Sequence, residues 1–473
     1  MIGRKLQNIL KSFNSEDEKD FLNFINSPYF NKKDDLVIFY KYLINHKNND
    51  FDKTVLCHDI FDKPLTTKEL GYLISDLMKQ VELFLIYEEF KNKDALKKQY
   101  LLKQLQVRNL NKLFSQKISQ YQKNPAQIKN VDYFFSKFQA YELLEHFQIA
   151  NLKQRIFSPD NQPIITYFDK YFILKKLMIY CSIISRNTLT SSKLELTFYD
   201  EILNFIHLNN LREEPVIDIY YSMVEMLNQK DEQNSDAFEH LKILVNTQNH
   251  LLPKDEIYDV YLHIINYCLK KIRTGQQKFV KEALLLYKHA IESGVFIINN
   301  SLSPWKFNNV IKLAIIDNQF DWAKEFIDKN SEKLPKTFRN DAINYNLAQL
   351  LYNENKFDEA LIHLHRLKHT DFSYRLGSRE ILAKIYYEKG EEEALLSLIA
   401  SFTIFLKRNK NISSNLKVPF LNFCDLLNQI LRRNPKKIQK VKEKIIKTKI
   451  VTSKSWLIST IDKELKKLNL PLE

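Results

Sequence analysis

The histidines of this sequence come closest to a metal-binding arrangement. His365 and His369 stand four residues apart in a segment of helical pattern, and His363 lies beside them. One helix face would then offer two imidazoles. A zinc ion needs a third and a fourth ligand, and no Glu or Cys stands at a supporting spacing. The expected role is a solvated helix edge, and no metal is assigned. Carboxylates cluster at Asp358-Glu359 and at Glu391-Glu392-Glu393. Each group opens a helical segment, where the helix dipole favours negative charge without any acid–base work. Catalytic carboxylates need a shared cleft, which these spacings do not indicate. The chain has 6 glycines, in neither of the spacings that cradle phosphates, G-x-G-x-x-G or G-x-x-x-x-G-K-[ST]. It also lacks G-x-S-x-G and H-E-x-x-H. Neither catalytic residues nor a cofactor are expected, and the chain reads as a non-enzyme.

Cys57, Cys181, Cys268 and Cys424 lie far apart, inside apolar helical patterns. That spacing fits neither a zinc site nor a disulfide framework, so small core residues in a reducing cytoplasm are expected. Met1 to Asp20 contains basic residues but no apolar stretch of the kind that directs secretion. The longest uncharged run, Ala394 to Leu406, is too short to span a bilayer. It reads as a fully buried second helix of a hairpin, and the protein as cytoplasmic without a membrane span.

Net charge is +14 over 473 residues, and its distribution matters more than its size. Residues 401–473 carry 17 Lys/Arg against 5 Asp/Glu, an excess of +12 that leaves only +2 for the first 400. Lysine far outnumbers arginine, alongside many Asn, Ile, Phe and Tyr, the mix an AT-rich genome gives without selection for basicity. That mix does not explain the C-terminal concentration. A helix is expected from Pro435 to Lys447, with Lys436, Lys440, Lys444 and Lys447 on one stripe and Ile438, Val441 and Ile445 on another. Arg432, Arg433, Lys437 and Lys442 widen the basic surface. One reading is the polar cap that ends a helical array. The other is an anion contact with nucleic-acid phosphate, an acidic partner or a membrane surface. Few arginines and no interleaved aromatics argue against reading of bases.

The elements that would position these residues are helices throughout, because 44% apolar residues build a core while few glycines and prolines leave little for turn-rich sheets. Ser15-Glu16-Asp17-Glu18 predicts a capping box ahead of Phe21, Phe24 and Ile25. Helices follow from about Asp34 to His46, near Val55 to Phe61, and from Thr66-Thr67-Lys68-Glu69 onward. That last one carries Leu70, Leu73, Ile74, Leu77, Val81, Phe84 and Leu85. Its stripe suits packing on a neighbouring helix or coiled-coil dimerisation. Asp94 to Val107 and Leu110 to Tyr121 predict a hairpin broken at Asn109, and Val131 to Phe157 a long amphipathic helix. Ser158-Pro159-Asp160-Asn161-Gln162-Pro163 marks a soft boundary.

Beyond it the hairpins repeat. Leu347, Ala348 and Leu351 precede the turn at Asn355-Lys356-Phe357, and Ala360, Leu364 and Leu367 follow it. The layout returns in Leu382, Ala383, Tyr386, Gly390 and Ala394. The marker alanines Ala237, Ala283, Ala323, Ala360 and Ala394 are 46, 40, 37 and 34 residues apart. This pattern resembles the tetratricopeptide repeat, whose period is ~34 residues. The likeness runs over about Ser303 to Leu406 and is weaker over 164–302. The segment Ser27 to Phe30 with its following long helix resembles uncharacterised helical proteins of Bacteroidota, which imply no activity.

The resemblance implies an all-α fold, an α-solenoid of tetratricopeptide-like hairpins with a divergent N-terminal helical domain. Its expected parts are that domain (1–157), degenerate hairpin repeats (158–302), tetratricopeptide-like repeats (303–406) and basic capping helices (407–473). In the family, first helices line a concave groove for peptides. Here those positions are Asn308, Asn309 and Lys312, then Tyr345, Asn346, Gln349, Tyr352 and Asn353, then Lys384, Tyr387 and Glu388. Amides and tyrosines suit a peptide backbone. The family's lysine–asparagine clamp for a C-terminal carboxylate is not reproduced by Lys312, Asn346 and Lys384. The expected function is a protein-interaction scaffold holding a peptide in the groove, the alternative being nucleic-acid or other polyanion binding through the basic C-terminal helices.

Overall fold

The computed structural model describes residues 4–45, 66–123, 128–151, 162–187, 194–228, 236–368, 371–410, 412–432 and 438–467. The helix expected near Val55 to Phe61, with Cys57, lies outside them, as do His369, Arg433, Lys436 and Lys437. Among the described residues the chain is all-α, 22 helices with one two-residue strand pair. It divides into two compact units, Met1–Ile179 with Phe198–Asp218, and Tyr180–Thr197 with Ile219–Glu473.

The first unit holds α1 (Arg4–Ser12), α2 (Ser15–Asn26), α3 (Asp34–Asn45), α4 (Thr67–Lys91), α5 (Asp94–Val107), α6 (Asn111–Lys123) and α7 (Val131–Asn151). Helix α8 (Gln162–Asn187) begins there and ends in the second unit. Helix α9 (Tyr199–Leu208) belongs to the first, and α10 (Pro215–Asn228) again passes into the second. The expected cap of α2 is displaced by one residue. Asn14, not Ser15, is the N-cap, its side chain accepting from the Glu16 and Asp17 amides while the Asp17 carboxylate takes the Asn14 amide. A carboxylate at the third helical position reaches back best to a residue three earlier, and Asn caps as well as Ser. Thr66 and Glu69 make the expected box at α4. The apolar stripe of α4 packs inside this unit, Leu77, Val81 and Phe84 joining Phe21, Phe24, Phe39 and Tyr40 of α2 and α3. Leu85 departs from the expected stripe and is exposed.

The second unit continues with α11 (Asp236–Gln248), α12 (Lys254–Arg273), α13 (Lys278–Glu292), β1 (Ile297–Ile298), β2 (Ser301–Leu302), α14 (Pro304–Ile316), α15 (Phe320–Asn330), α16 (Lys336–Asn353) and α17 (Phe357–His365). It ends with α18 (Phe372–Lys389), α19 (Glu392–Arg408), α20 (Ser414–Leu431), α21 (Ile438–Lys447) and α22 (Lys454–Lys467). Strands β1 and β2 pair antiparallel, Ile297 opposite Leu302. Asn299 and Asn300 turn between them with φ of 49° and 57°, as a tight mirror-image turn requires.

Helices here pack mostly on their chain neighbours, α12 on α13, α14 on α15, α16 on α17, α18 on α19. In addition α14 packs on α16 and α16 on α18. One closure ends the first helix of successive hairpins, a backbone bond from the residue after a left-handed position back five residues. It joins Gln276 to Lys271 (3.0 Å), Gln319 to Ala314 (2.8 Å), Lys356 to Leu351 (2.9 Å) and Glu391 to Tyr386 (2.9 Å). The left-handed residues are Gly275, Asn318, Asn355 and Gly390, and Asn109 does the same between α5 and α6. Asparagine tolerates positive φ better than other residues with a Cβ, so a glycine-poor chain can still make these turns.

Ala283, Ala323 and Ala360 are fully buried. Ala394, the last of the marker alanines, is only half-buried. Nor is α19 buried all round. Leu395, Ile399, Phe402 and Leu406 face the core, but Leu396 and Ile404 are 41% and 50% exposed, because α18 and α20 cover one side only. The C-terminal end is part of this core, with Leu457, Ile461 and Leu465 of α22 fully buried beside Phe423 and Leu427 of α20.

Candidate functional site

The groove positions expected from the sequence lie on α14, α16 and α18, and most of them are engaged with one another. Asn346 is wholly buried, its amide donating to Asn308 Oδ1 (2.5 Å) and to the Ala342 carbonyl (2.7 Å). Asn308 in turn donates to the Tyr374 hydroxyl (3.3 Å), and Tyr374 stands edge-on to Tyr345 at 5.5 Å. Gln349 donates to the Tyr345 hydroxyl (3.0 Å), and Asn309 to the Tyr287 hydroxyl (3.2 Å). Burial first, then the nearby Glu380 and Tyr374, pushes the Tyr345 phenol well above its ordinary range. Burial likewise pushes Tyr374 up to about 12, so both are neutral hydrogen-bonding groups. These side chains form a polar seam joining α14, α16 and α18. Asn346 is therefore corrected from a groove contact to a buried strut; its sequence position marks the inner side of α16 but not how closely α14 approaches.

The seam depends on Gly377. A Cβ there would lie 2.4 Å from the Tyr345 hydroxyl, so α18 meets α16 at a residue without a side chain.

The last expected groove positions meet the chain's own C-terminus. Lys384 pairs with Glu380 (2.8 Å), both side chains nearly buried at 14% and 13% exposure. Thr452 (2.8 Å) and Ser453 also donate to that carboxylate. Burial would raise the Glu380 carboxyl, but Lys384 and the two hydroxyls outweigh it and hold it below its ordinary value. Tyr387 donates to Glu464 (2.9 Å) and stands edge-on to Trp456 at 5.5 Å, while Lys463 reaches Glu388 at 3.0 Å. Tyr352 is half-buried against Phe357. Lys312 and Asn353 are exposed.

On α21 the expected division holds, Ile438, Val441 and Ile445 buried and Lys440, Lys444 and Lys447 exposed, as is Arg432 just past α20. Lys444 reaches Asp425 at 2.9 Å and Lys447 reaches Glu443 at 3.2 Å. Lys442 is half-buried and lies 3.2 Å from Asp462.

Three other groups bear on chemistry. His363 hydrogen-bonds Asn344 at 2.9 Å, and burial, then Arg366, lowers its pKa. His365 is exposed, and no group of three or more potential metal ligands occurs among the described residues. Buried Lys137 donates to the Tyr121 carbonyl (2.9 Å), so it caps the C-terminal end of α6. Burial, then Lys98, lowers its pKa. Cys181, Cys268 and Cys424 are buried free thiols, and burial pushes Cys424 up to about 12, far from a reactive thiolate.

Sequence reading missed a cavity of about 280 Å³ between α13 and α15, lined by Lys288, Glu292, Trp322, Glu325, Lys329 and Lys333 among others. Lys288 lies 3.8 Å over the Trp322 ring and donates to Gln319 (2.9 Å). Burial lowers its pKa. Lys288 and Trp322 belong to different hairpins, so no local spacing announces their contact. No family model, curated protein or solved structure matches the chain.

Proposed function

We propose that this chain is a non-enzymatic interaction scaffold, an α-solenoid of tetratricopeptide-like hairpins that holds a partner protein's segment against its first helices. The observation that carries this reading is the direct packing of α14 on α16 and of α16 on α18. Such a succession presents side chains from consecutive hairpins to one extended ligand. The internal seam and the C-terminal helix leave the later parts of α14 and α16 for that ligand. Lys312 and Asn353 are its contacts, with Gln349 and Asn309 behind them.

A photo-crosslinking residue at position 312 or 353 tests this in nuclease-treated extract of the native host. The expected result is labelling of a discrete protein from both positions but not from position 321, on α15, where Asp321 is 97% exposed. Equal labelling from 321, or loss of the product on nuclease treatment, refutes it.

The exposed lysines of α21 favour a second reading, polyanion binding. Their surface ion pairs are worth little and leave them available. Replacing Lys440, Lys444 and Lys447 by glutamine would then flatten the salt dependence of DNA binding by about 0.9 for each lysine that meets a phosphate. A wild type that does not bind DNA or heparin at low salt removes this reading.

A further inference from the structure

Arg375 and Arg379 stand one turn apart on α18, and both guanidinium carbons lie 4.4 Å from the centroid of one ring, Phe405 of α19. The two cations are therefore no farther apart than twice that distance. Phe402 adds a second ring, 5.4 Å from Arg379. Several other half-buried cations of the chain meet a carboxylate, Lys170 at Glu214 (2.6 Å), Arg212 at Asp218 (2.6 Å) and Lys384 at Glu380 (2.8 Å). Among the described residues neither Arg375 nor Arg379 does, and Nη1 of Arg379 is buried without a hydrogen-bond acceptor. Burial, then the charge of Arg375, lowers the pKa of Arg379, but a guanidinium keeps its proton at any physiological pH.

Two adjacent like charges and an unmet buried donor are costly for a fold to keep. The aromatic rings hold the forks in place, so an incoming group finds its donors already oriented. A planar fork with fixed donors matches the oxygens of a phosphate or a carboxylate. We propose that Arg375 and Arg379, seated on Phe405, form a binding site for an oxyanion, a phosphate or carboxylate group presented free or on a polypeptide. The site is separate from the lysines of α21 and does not depend on the groove reading.

The test is calorimetric titration of the full chain with inorganic phosphate and with N-acetylphosphoserine amide, together with thermal melts. The expected result is saturable binding that weakens at least tenfold in Arg375→Gln and in Arg379→Gln, and little in Lys440→Gln. Phosphate should raise the melting temperature of the wild type and not of either arginine variant. Without anion, Arg379→Met should melt no lower than the wild type, because it removes an uncompensated charge. Arg379→Lys should bind weakly, keeping the charge but losing the fork. Tighter binding of phosphate marks a free anion as the ligand, and tighter binding of the phosphoserine derivative marks a group on a chain. The proposal is overturned if neither probe saturates, if the glutamine variants bind like the wild type, or if the loss follows Lys440→Gln. Should Arg379→Gln fail to fold, Arg375→Gln alone decides between these outcomes.

Discussion

Replacing Gly377 by alanine sets two effects against each other. In an open helix interior the added methyl stabilises by about 0.5–1 kcal/mol, chiefly by restricting the unfolded chain. At Gly377 the new Cβ would stand 2.4 Å from the Tyr345 hydroxyl and 2.8 Å from two carbons of its ring. The ring cannot simply swing aside, because Tyr374 packs edge-on against it and Gln349 holds its hydroxyl. Overpacking of this kind costs about 1–3 kcal/mol, more than the gain from propensity. A net loss of about 1–2 kcal/mol follows, or roughly 2–8 °C in melting temperature for a unit of this size. Gly71, inside α4 with no atom within 4 Å of its hypothetical Cβ, is the matched control. Gly71→Ala should melt higher and Gly377→Ala lower, in circular dichroism or calorimetry. Tyr345→Phe removes the nearest atom but not the two ring carbons, so the double variant should recover part of the loss and show a coupling energy. A Gly377→Ala protein that melts as high as Gly71→Ala would refute the close approach of α16 and α18.

Four further expectations can be checked in the same way. Asn355→Gly should leave urea stability unchanged or slightly raised, whereas Asn355→Val should lose about 1–2 kcal/mol, since a β-branched residue resists the left-handed turn. Lys384→Met should cost about 2–3 kcal/mol, somewhat below the usual loss for breaking a buried pair, because Thr452 and Ser453 still serve Glu380. The Glu380 carboxyl is held low, so its contribution is complete above the ordinary glutamate pKa and is lost as pH falls through the folded value. Denaturant titrations should accordingly show the gap between wild type and Glu380→Gln narrowing below the ordinary carboxylate range. Deleting residues 452–473 removes Leu457, Ile461 and Leu465, each worth about 1.5–3 kcal/mol when buried, and should lower the melting temperature of the second unit.

What the sequence reveals and what it hides separate along a physical line. Helix type, the turns at Asn109 and Asn355, and the inward faces of α4 and α21 are set by residues within a turn or two of each other, where periodicity applies. The seam is different. Asn308, Asn346 and Tyr374 are far apart in sequence, and their meeting depends on how helices stack, which no local pattern specifies. The same holds for Thr452 and Ser453 at Glu380, and for Lys288 at Trp322. Arg375 and Arg379 do share a helical face, but only the placement of Phe405 reveals that both lie against the same ring. The misplaced cap at Ser15 is of another kind, two adjacent residues of equal capping strength that only the side-chain bonds distinguish.

The left-handed asparagines bear on how this protein ages. Asparagine deamidates when the backbone nitrogen of the next residue attacks its side-chain amide, and exposed asparagines in turns are where this is fastest. In the hairpin closures that nitrogen is already committed, Leu110 N to Leu105, Gln319 N to Ala314 and Lys356 N to Leu351. The bond that ends each helix thus also withholds the nucleophile from Asn109, Asn318 and Asn355. Folded protein should keep these three amides longer than unfolded chain at the same pH, each amide lost adding about one mass unit to its peptide.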